Sequence, residues 1–333
     1  MSMSQVYIRG IGGYVPVGRR TNHDLAIRLG VTEDYIVRLT GIHERRLAAP
    51  EQATSDMALL AAQAALDNAG LAADQVDALL VATATPDHMT PSTANLVQHR
   101  LGLRAIPAYD LNAGCTGGLY ALITGIGLIR AGMCHTVLVI GAELVSRLID
   151  VDDAETALVF GDGAGAVVLQ AGTAGMRGLR VLSHLWASDG SKAQVIMLPA
   201  GGSRQPTSRE TVEKGEHFLR MNGSSVYRFA VRTLPSLVTE VLQRAGRALE
   251  DLSLLIPHQA NWRIIEAAMR KLDLPLEKVM VNIERYGNTS SASVLLALDE
   301  VWHQERIHPG DTVVLASFGA GLTWAAVALH LQA

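Results

Sequence analysis

Short apolar runs alternate with longer stretches in which apolar residues recur at helical spacing. The runs that predict strands are 78–84, 136–140, 159–169, 252–256, 279–283 and 312–316. The stretches that predict helices are 55–69, 116–131, 226–245, 262–271 and 292–304. Strands that are apolar on both faces are covered by helices on both sides of their sheet. The pattern therefore predicts an α/β protein with covered sheets.

The pattern is also repeated within the chain. Residues 69–80 and 245–256 each read as a helix end, an acidic turn and a buried strand, at an offset of 176 residues. The register continues without a gap to 306–317, and beyond it the offset falls to 158, which indicates an insertion at about 143–159. We therefore predict a duplicated α/β unit, with halves 1–172 and 173–333 and an inserted loop in the first.

The helix predicted after Cys115 has no charged residue between positions 116 and 129, and its counterpart after Ser291 also starts with apolar residues. A helix that is apolar all round is buried all round. Two such helices, side by side between two sheets, would form a central layer. This arrangement brings the repeat-related loops, which carry Cys115 and Asn288, face to face.

Composition excludes several classes of protein. The net charge of −4 gives no electrostatic basis for binding nucleic acid or an anionic membrane. Two cysteines cannot form a disulfide framework and fit a reducing cytoplasm, and the first residues lack a signal-peptide pattern. Segment 312–331 is nearly uncharged and long enough to span a membrane, but the interruption at 318–321 favours two buried strands and a turn.

Cys115 lies in the run NAGCTGG, between a predicted strand and a predicted helix. The dipole and free N–H groups of a helix start favour a thiolate, so we expect Cys115 to have a lowered pKa and to act as a nucleophile. By itself, a lone cysteine at such a position is more often a buried core cysteine.

His258 and Asn288 occupy related positions. His258 follows the strand 252–256, at the end of a strand where α/β proteins place their sites, and Asn288 lies in the repeat of the Cys115 loop. Alone, His258 could be structural and Asn288 could cap a helix. All three lie at repeat-related junctions between strand and helix, which predicts a single site.

Five motifs carry a resemblance over nearly the whole chain: NAGCTGG, FGDGAGA, PHQAN, RYGNTSSAS and FGAGLTW. In this order they resemble the β-ketoacyl-acyl-carrier-protein synthase III family. The resemblance implies a thiolase fold with five αβαβα layers and the triad Cys115, His258 and Asn288. It also implies an oxyanion hole formed by backbone N–H groups of Cys115, Gly319 and Gly321.

The implied reaction is acylation of Cys115 by an acyl-CoA, followed by decarboxylative condensation with a malonyl thioester on CoA or on a carrier protein. No metal or redox cofactor is expected, because the CoA thioesters are substrates. The alternatives are an acyltransferase that passes the acyl group to an oxygen or nitrogen nucleophile, and a thioester hydrolase. The family also implies a homodimer, for which the uncharged region 89–95 is a candidate contact.

The resemblance suggests further site residues. Contacts to CoA or a carrier protein are expected from Tyr35, Arg38, Arg228, Arg263, Arg270 and Lys271, and the acyl pocket is expected to include Thr90, Gly118 and Leu322. Tyr35, Leu39 and Ala154 stand where the family has a tryptophan and two arginines, and Gly118 replaces an aromatic residue. These departures predict a starter other than acetyl. Arg45 and Arg46 are expected in a solvated loop.

Overall fold

The computed structural model describes residues 5–332. Its strands are β1 (Gln5–Tyr14), β2 (Gly18–Thr21), β3 (Glu44–Leu47), β4 (Ala78–Ala82), β5 (Ala108–Leu111), β6 (Thr136–Glu143), β7 (Gly163–Gly172), β8 (Leu179–Ser188), β9 (Ile196–Met197), β10 (Arg220–Met221), β11 (Leu252–Pro257), β12 (Thr312–Gly319) and β13 (Thr323–Leu331). Its helices are α1 (Asn22–Leu29), α2 (Glu33–Thr40), α3 (Thr54–Ala69), α4 (Thr93–Arg100), α5 (Gly117–Arg130), α6 (Ala154–Ala157), α7 (Arg209–Glu213), α8 (Gly223–Arg244), α9 (Trp262–Leu272), α10 (Ile283–Tyr286) and α11 (Ser293–His303).

The main sheet has the same strand order in both halves of the chain. The first half contributes β1-β7-β6-β4-β5, and the second contributes β8-β13-β12-β11. At the outer edge of the second half, a single bridge from Leu255 to Val279 occupies the place that β5 has in the first. The halves join where β1 pairs with β8 through Tyr7–Arg180 and Ile8–Leu179. The predicted duplication is therefore visible as a repeated topology.

Helices lie on both faces of each half-sheet. Helix α3 packs its alanine-rich face on β1, β6 and β7, and α8 and α9 cover the outer face of β11–β13. Between the half-sheets, α5 and α11 share one core that contains Leu122, Ile126, Leu295 and Leu298. The result is five layers in the order helix, sheet, helix, sheet, helix. Helix α5 is buried in the middle layer, as its uncharged sequence predicts.

The structure corrects two predicted strands. Segment 279–283 forms only the bridge at Val279, because the N–H groups of Asn282 and Ile283 donate to the side chain of Gln259 and Ile283 begins α10. Residues 159–162 are not part of β7, which begins at Gly163. Segment 312–331 forms β12 and β13, and within residues 5–332 no helix is long and apolar enough to cross a membrane.

The two halves differ in the connection that follows their central strand. In the first half, the chain from β6 to β7 contains a short 3-10 turn at Val145–Leu148 and helix α6. In the second half, β12 and β13 are joined by a tight turn. The longer connection lies where the shift in repeat offset predicts an insertion.

Two glycines of α5 allow a matched test of this packing. A side chain at Gly118 would collide with the carbonyl oxygen of Ser291, whereas nothing lies within 4 Å of the β-carbon position at Gly127. We expect Gly118→Ala to lower the free energy of unfolding by about 1–3 kcal/mol, as overpacking does. Gly127→Ala should raise it by about 0.5–1 kcal/mol, because alanine is the better helix former. Denaturant unfolding of both variants measures the contrast, and equal shifts would contradict the packing.

Candidate active site

Cys115 lies in a 3-10 turn, Gly114–Thr116, between β5 and α5. The hydroxyl of Ser317 in β12 donates to the Cys115 carbonyl oxygen over 3.0 Å. A side chain at Gly319 would overlap the β-carbon of Cys115, so the end of β12 approaches the cysteine directly through its backbone. The second half of the chain therefore fixes the position of the cysteine of the first half.

His258 follows the last residue of β11 and is 1% exposed. Its N–H donates to the Ala316 carbonyl oxygen over 2.8 Å, which extends the pairing of β11 with β12 by one residue. The imidazole packs edge-on against the Phe318 ring, with 5.5 Å between the ring centroids. Its Nδ1 is buried and has no hydrogen-bond partner among residues 5–332.

Asn288 is held by both halves. Its side-chain oxygen accepts the N–H of Ser290 over 2.8 Å, so the amide nitrogen is the end left for a ligand. Its backbone N–H donates to the Val159 carbonyl oxygen (2.9 Å), and its carbonyl oxygen accepts from the Gly161 N–H (3.0 Å). The inserted connection of the first half thus positions the asparagine of the second.

Cys115, His258 and Asn288 line one cavity of about 90 Å³. Most of its other walls are apolar; they include Val159, Phe160, Ile196, Val226, Ile264 and Phe318. A larger groove of about 440 Å³ adjoins it and shares the lining residues Val159, Met221, Gly223, Tyr227 and Asn261. The arrangement is a narrow inner chamber that holds the three polar groups, reached from an outer groove.

The thiol of Cys115 does not have the lowered pKa that its helix position predicts. Burial raises the pKa to about 11, and the nearby Glu143 adds to the rise. The Ser290 hydroxyl and the backbone N–H groups of Cys115 and Ala320 favour the thiolate, but their combined effect is smaller than that of burial. The prediction is wrong because the close packing around the helix start surrounds the thiol with protein atoms, although the residue keeps partial exposure.

Burial also lowers the pKa of His258, to about 3. The imidazole is therefore neutral at physiological pH and has one N–H donor and one acceptor nitrogen. Two neutral groups, a thiol and an imidazole, thus face the inner chamber in the resting protein.

Of the predicted binding residues, three cations lie along the outer grooves. Arg228 and Arg263 line the groove that adjoins the chamber, together with Leu39, Ala154 and Glu155. Arg38 and Arg263 line a second groove of about 560 Å³ beside Trp262. Two of the positions that depart from the family, Leu39 and Ala154, therefore lie in the wall of the groove.

The structure does not bring the other predicted contacts to these grooves. Tyr35 is 44% exposed on α2 and lines neither groove. Arg270, in the last turn of α9, is paired with Glu266 over 3.8 Å, and Lys271 lines a separate surface hollow beside Pro235.

None of the three predicted acyl-pocket residues lines the chamber. Thr90 is exposed, and Leu322 is buried in the core of the second half, with backbone bonds to Asp189. At Gly118 the space is filled by the backbone of Ser291, so the lack of an aromatic side chain opens no pocket. The backbone of Gly319 lines the chamber, but the turn N–H that favours the Cys115 thiolate is that of Ala320 instead of Gly319 or Gly321.

Sequence reasoning misplaced Arg45. Arg45 is fully buried instead of solvated, because its guanidinium donates to the Leu158 carbonyl oxygen and, over 2.6 Å, to Asn22. Burial lowers its pKa to about 10. It holds the chain immediately before Val159 and Phe160, two walls of the chamber.

Sequence reasoning also missed Glu143, which is fully buried at the end of β6, close enough to raise the pKa of Cys115. No sequence pattern marked it: the structure shows that β6 ends at Glu143 as its counterpart β12 ends at Gly319, the residue against Cys115.

Comparison with known proteins adds independent findings. Residues 109–190 match the family model described as 3-oxoacyl-[acyl-carrier-protein] synthase III, and residues 242–331 match the model of its C-terminal part. A β-ketoacyl-[acyl-carrier-protein] synthase III from Symbiobacterium thermophilum is 46% identical over 99% of both chains.

Two solved structures are similar over nearly their whole length. The 3-oxoacyl-(acyl carrier protein) synthase III of Pseudomonas aeruginosa PAO1 is 40% identical, with a TM-score of 0.90 over 99% of both chains. The priming β-ketosynthase of the R1128 polyketide pathway is 32% identical, with a TM-score of 0.89 over 99% of this chain and 97% of that one.

The depressed pKa of His258 predicts a dependence of stability on pH. The unfolded histidine takes up a proton below about pH 6.5, but the folded one does so only near pH 3, so acid favours the unfolded state in that range. Stability should therefore fall by up to about 1.4 kcal/mol per pH unit between these values because of this residue. His258→Gln should reduce that slope in denaturant unfolding, whereas substitution of the exposed His88 should not. Equal slopes in all three proteins would contradict a buried neutral His258.

Proposed function

Because the chain belongs to the β-ketoacyl-acyl-carrier-protein synthase III family of thiolase-fold condensing enzymes, we propose that it joins an acyl starter from CoA to a malonyl thioester through an acyl-Cys115 intermediate. The observation that carries this proposal is the convergence of Cys115, His258 and Asn288 on one small, mostly apolar chamber. The proposed reaction requires no metal or redox cofactor.

In the first step, the sulfur of Cys115 attacks the carbonyl carbon of the acyl thioester. The new S–C bond forms as the bond to the CoA sulfur breaks, and the proton of the Cys115 thiol ends on CoA. The backbone N–H groups of Cys115 and Ala320, which favour negative charge on the sulfur, can also stabilise the oxyanion that develops beside it.

In the second step, the malonyl thioester loses CO₂, and the electron pair of the broken C–C bond forms an enolate. The amide N–H of Asn288 and the N–H of His258 are the chamber donors for the enolate oxygen. The carbanion then attacks the acyl carbon, the new C–C bond forms and the bond to Cys115 breaks. The cysteine leaves as thiolate and takes up one proton.

The neutral state of His258 suits this step. A charged imidazolium would pair with the malonyl carboxylate and stabilise the ground state, which opposes decarboxylation. A neutral imidazole in an apolar chamber does not stabilise the carboxylate but still offers one hydrogen bond as charge moves to the enolate oxygen. The burial that lowers the pKa of His258 thus serves catalysis.

The outer grooves provide room for the CoA or phosphopantetheine arm. The guanidinium groups of Arg38 and Arg263 form no ion pair with a carboxylate among residues 5–332, so they are available to phosphates. Leu39, Ala154 and Glu155 make the groove wall less basic than the family pattern. We propose on this basis that the starter is an acyl group other than acetyl. From membership of the family we propose that a carrier protein presents the malonyl group and that the enzyme acts as a homodimer.

Substitution of the triad separates the two steps. Cys115→Ala should abolish both acyl-adduct formation and condensation, because it removes the attacking sulfur. Asn288→Ala should keep the adduct, seen by peptide mass after incubation with a panel of acyl-CoAs, but slow CO₂ release from the malonyl thioester by about 10²–10³-fold. The best starter in the panel should be longer than acetyl.

The outcomes distinguish the alternatives. Transfer of the acyl group from Cys115 to an oxygen or nitrogen nucleophile without CO₂ release would support the acyltransferase, and free acid without malonate would support the hydrolase. Full turnover by Cys115→Ala would overturn the assignment of the nucleophile. A maximal rate with acetyl-CoA would overturn the proposal on the starter.

Helix α9 offers a matched pair of arginines for the groove. Arg263 lies in its first turn and lines both grooves, whereas Arg270 lies in its last turn and lines neither. We expect Arg263→Ala to raise KM for acyl-CoA about tenfold at low salt with little change in kcat, because charge-assisted hydrogen bonds to phosphate contribute to binding. Arg270→Ala should leave both constants unchanged. The KM values for acyl-CoA of the two variants, from steady-state kinetics, test whether the groove binds CoA.

A further inference from the structure

The second groove has a tryptophan in its wall. Trp262 is the first residue of α9 and lines the groove of about 560 Å³ together with Arg38 and Arg263. Gly41 ends α2 with a φ of 76°, and a side chain there would collide with the β-carbon of Trp262. The end of α2 therefore gives Trp262 a close backbone contact, and the proposed reaction assigns this tryptophan no role.

Two guanidinium groups lie beside Trp262 in this groove. The groove also contains Glu266 and Glu284, but each of these carboxylates is paired with an arginine outside the groove lining, over 3.8 and 3.1 Å. Among residues 5–332, no carboxylate forms an ion pair with Arg38 or Arg263. Guanidinium groups bind phosphate strongly because their N–H donors match its oxygens. The groove therefore combines an aromatic side chain with two phosphate-binding groups.

The two grooves differ in the chemistry of their walls. The groove that adjoins the chamber is lined mostly by apolar and uncharged residues, together with the carboxylate of Glu155. Of its two arginines, Arg228 donates to the Ser225 hydroxyl over 3.0 Å, and Arg263 is the one lining residue shared with the second groove. The first groove therefore suits an uncharged chain, and a ligand that continues into the second groove passes Arg263.

CoA has the same division into two parts. Its pantetheine arm, which carries the acyl group, is uncharged, and its other end is an adenosine that bears phosphate groups. We propose that the nucleotide end of CoA binds in the second groove, with the adenine stacked on Trp262 and the phosphates on Arg38 and Arg263. The arm then runs through the first groove to Cys115. The inference rests on the proposed function in that it takes an acyl-CoA as the donor of the starter.

The size and the chemistry of the second groove fit this ligand. Its volume of about 560 Å³ lies within the range of about 300–1,000 Å³ that is usual for small-molecule sites. Nucleic-acid bases stack on aromatic side chains, and removal of the aromatic partner weakens binding about tenfold or more. Tyr35, the aromatic residue that the resemblance assigns to CoA, lines neither groove. We therefore expect Trp262 to take that role in place of Tyr35.

The test measures the binding of adenosine 3′,5′-bisphosphate, which represents the nucleotide end of CoA without the arm, to the full-length enzyme by isothermal titration calorimetry. Trp262→Ala should raise Kd about tenfold or more, whereas Trp262→Phe keeps an aromatic ring and should stay within about threefold of wild type. Trp186→Ala is the matched control. Trp186 is 45% exposed and lines neither the grooves nor the chamber, so its removal should leave Kd unchanged.

A second readout separates nucleotide binding from damage to the fold. The rate of Cys115 acylation, followed by peptide mass below saturation, is compared for an acyl-CoA and for the same acyl group on pantetheine, which has no nucleotide. Trp262→Ala should lower the ratio of the two rates about tenfold, because only CoA reaches the second groove. A merely structural role would lower both rates and leave their ratio as in wild type. Should Trp262→Ala fail to fold, Trp262→Leu keeps an apolar contact with Gly41 and provides the same test.

Unchanged nucleotide binding by Trp262→Ala, or a tenfold loss in Tyr35→Ala instead, would overturn the proposal. Equally tight binding of adenosine 5′-monophosphate would indicate a general nucleotide site and would overturn the assignment to CoA, whose nucleotide end offers phosphates to both arginines. Failure of the proposed function is separate, because it would appear as no acyl adduct on wild-type Cys115, whereas nucleotide binding is measured without any reaction.

Discussion

The site depends on contact between the backbones of the two halves. Gly319 lies against the β-carbon of Cys115, and Gly118 lies against the carbonyl oxygen of Ser291, at distances that leave no room for a side chain. Two helix starts can then meet between two sheets, which sets the positions of Cys115 and Asn288 in the chamber. Larger residues at these places would separate the halves and with them the cysteine, the histidine and the asparagine.

The same contact sets the charges of the site. It surrounds both groups with protein atoms, so that the pKa of the partly exposed Cys115 rises to about 11 and that of the buried His258 falls to about 3. In such surroundings an ion is costly unless hydrogen-bond donors are already aimed at it. The backbone N–H of Ala320, the amide of Asn288 and the hydroxyl of Ser290 are such donors. Charge is therefore stabilised only where the proposed reaction develops it.

Much of the fold and of the site could be predicted from the sequence, because the hydrophobic pattern of the first half is repeated in the second. The repeat register predicted the related positions of Cys115 and Asn288, and the apolar helix after Cys115 predicted the central layer. The strand predicted at 279–283 was wrong. Its apolar residues fit a strand, but two of its backbone N–H groups donate to the side-chain oxygen of Gln259. No local pattern reveals such a tertiary partner.

The pKa of Cys115 and the space at Gly118 also could not be predicted. Both depend on atoms that are distant in sequence: the thiol on the depth of its burial, and Gly118 on the backbone of Ser291. Arg45 is a similar case, because a buried arginine that binds a carbonyl oxygen is not distinguished in sequence from a solvated one. Predictions from residue type fail where residues distant in sequence determine the burial, pKa or packing space of a side chain.

The two halves have diverged in a way that makes each necessary to the other. The tight turn after β12 brings the Ala320 N–H to the cysteine of the first half, and the longer connection after β6 brings Val159 and Gly161 to the asparagine of the second. At the ends of the corresponding strands β12 and β6, Gly319 gives Cys115 a close backbone, whereas Glu143 accepts a hydrogen bond from Ser290. A symmetric pair of halves would offer two equal loops. The asymmetry assigns the nucleophile to one half and the amide donor to the other, so neither half alone contains a complete site.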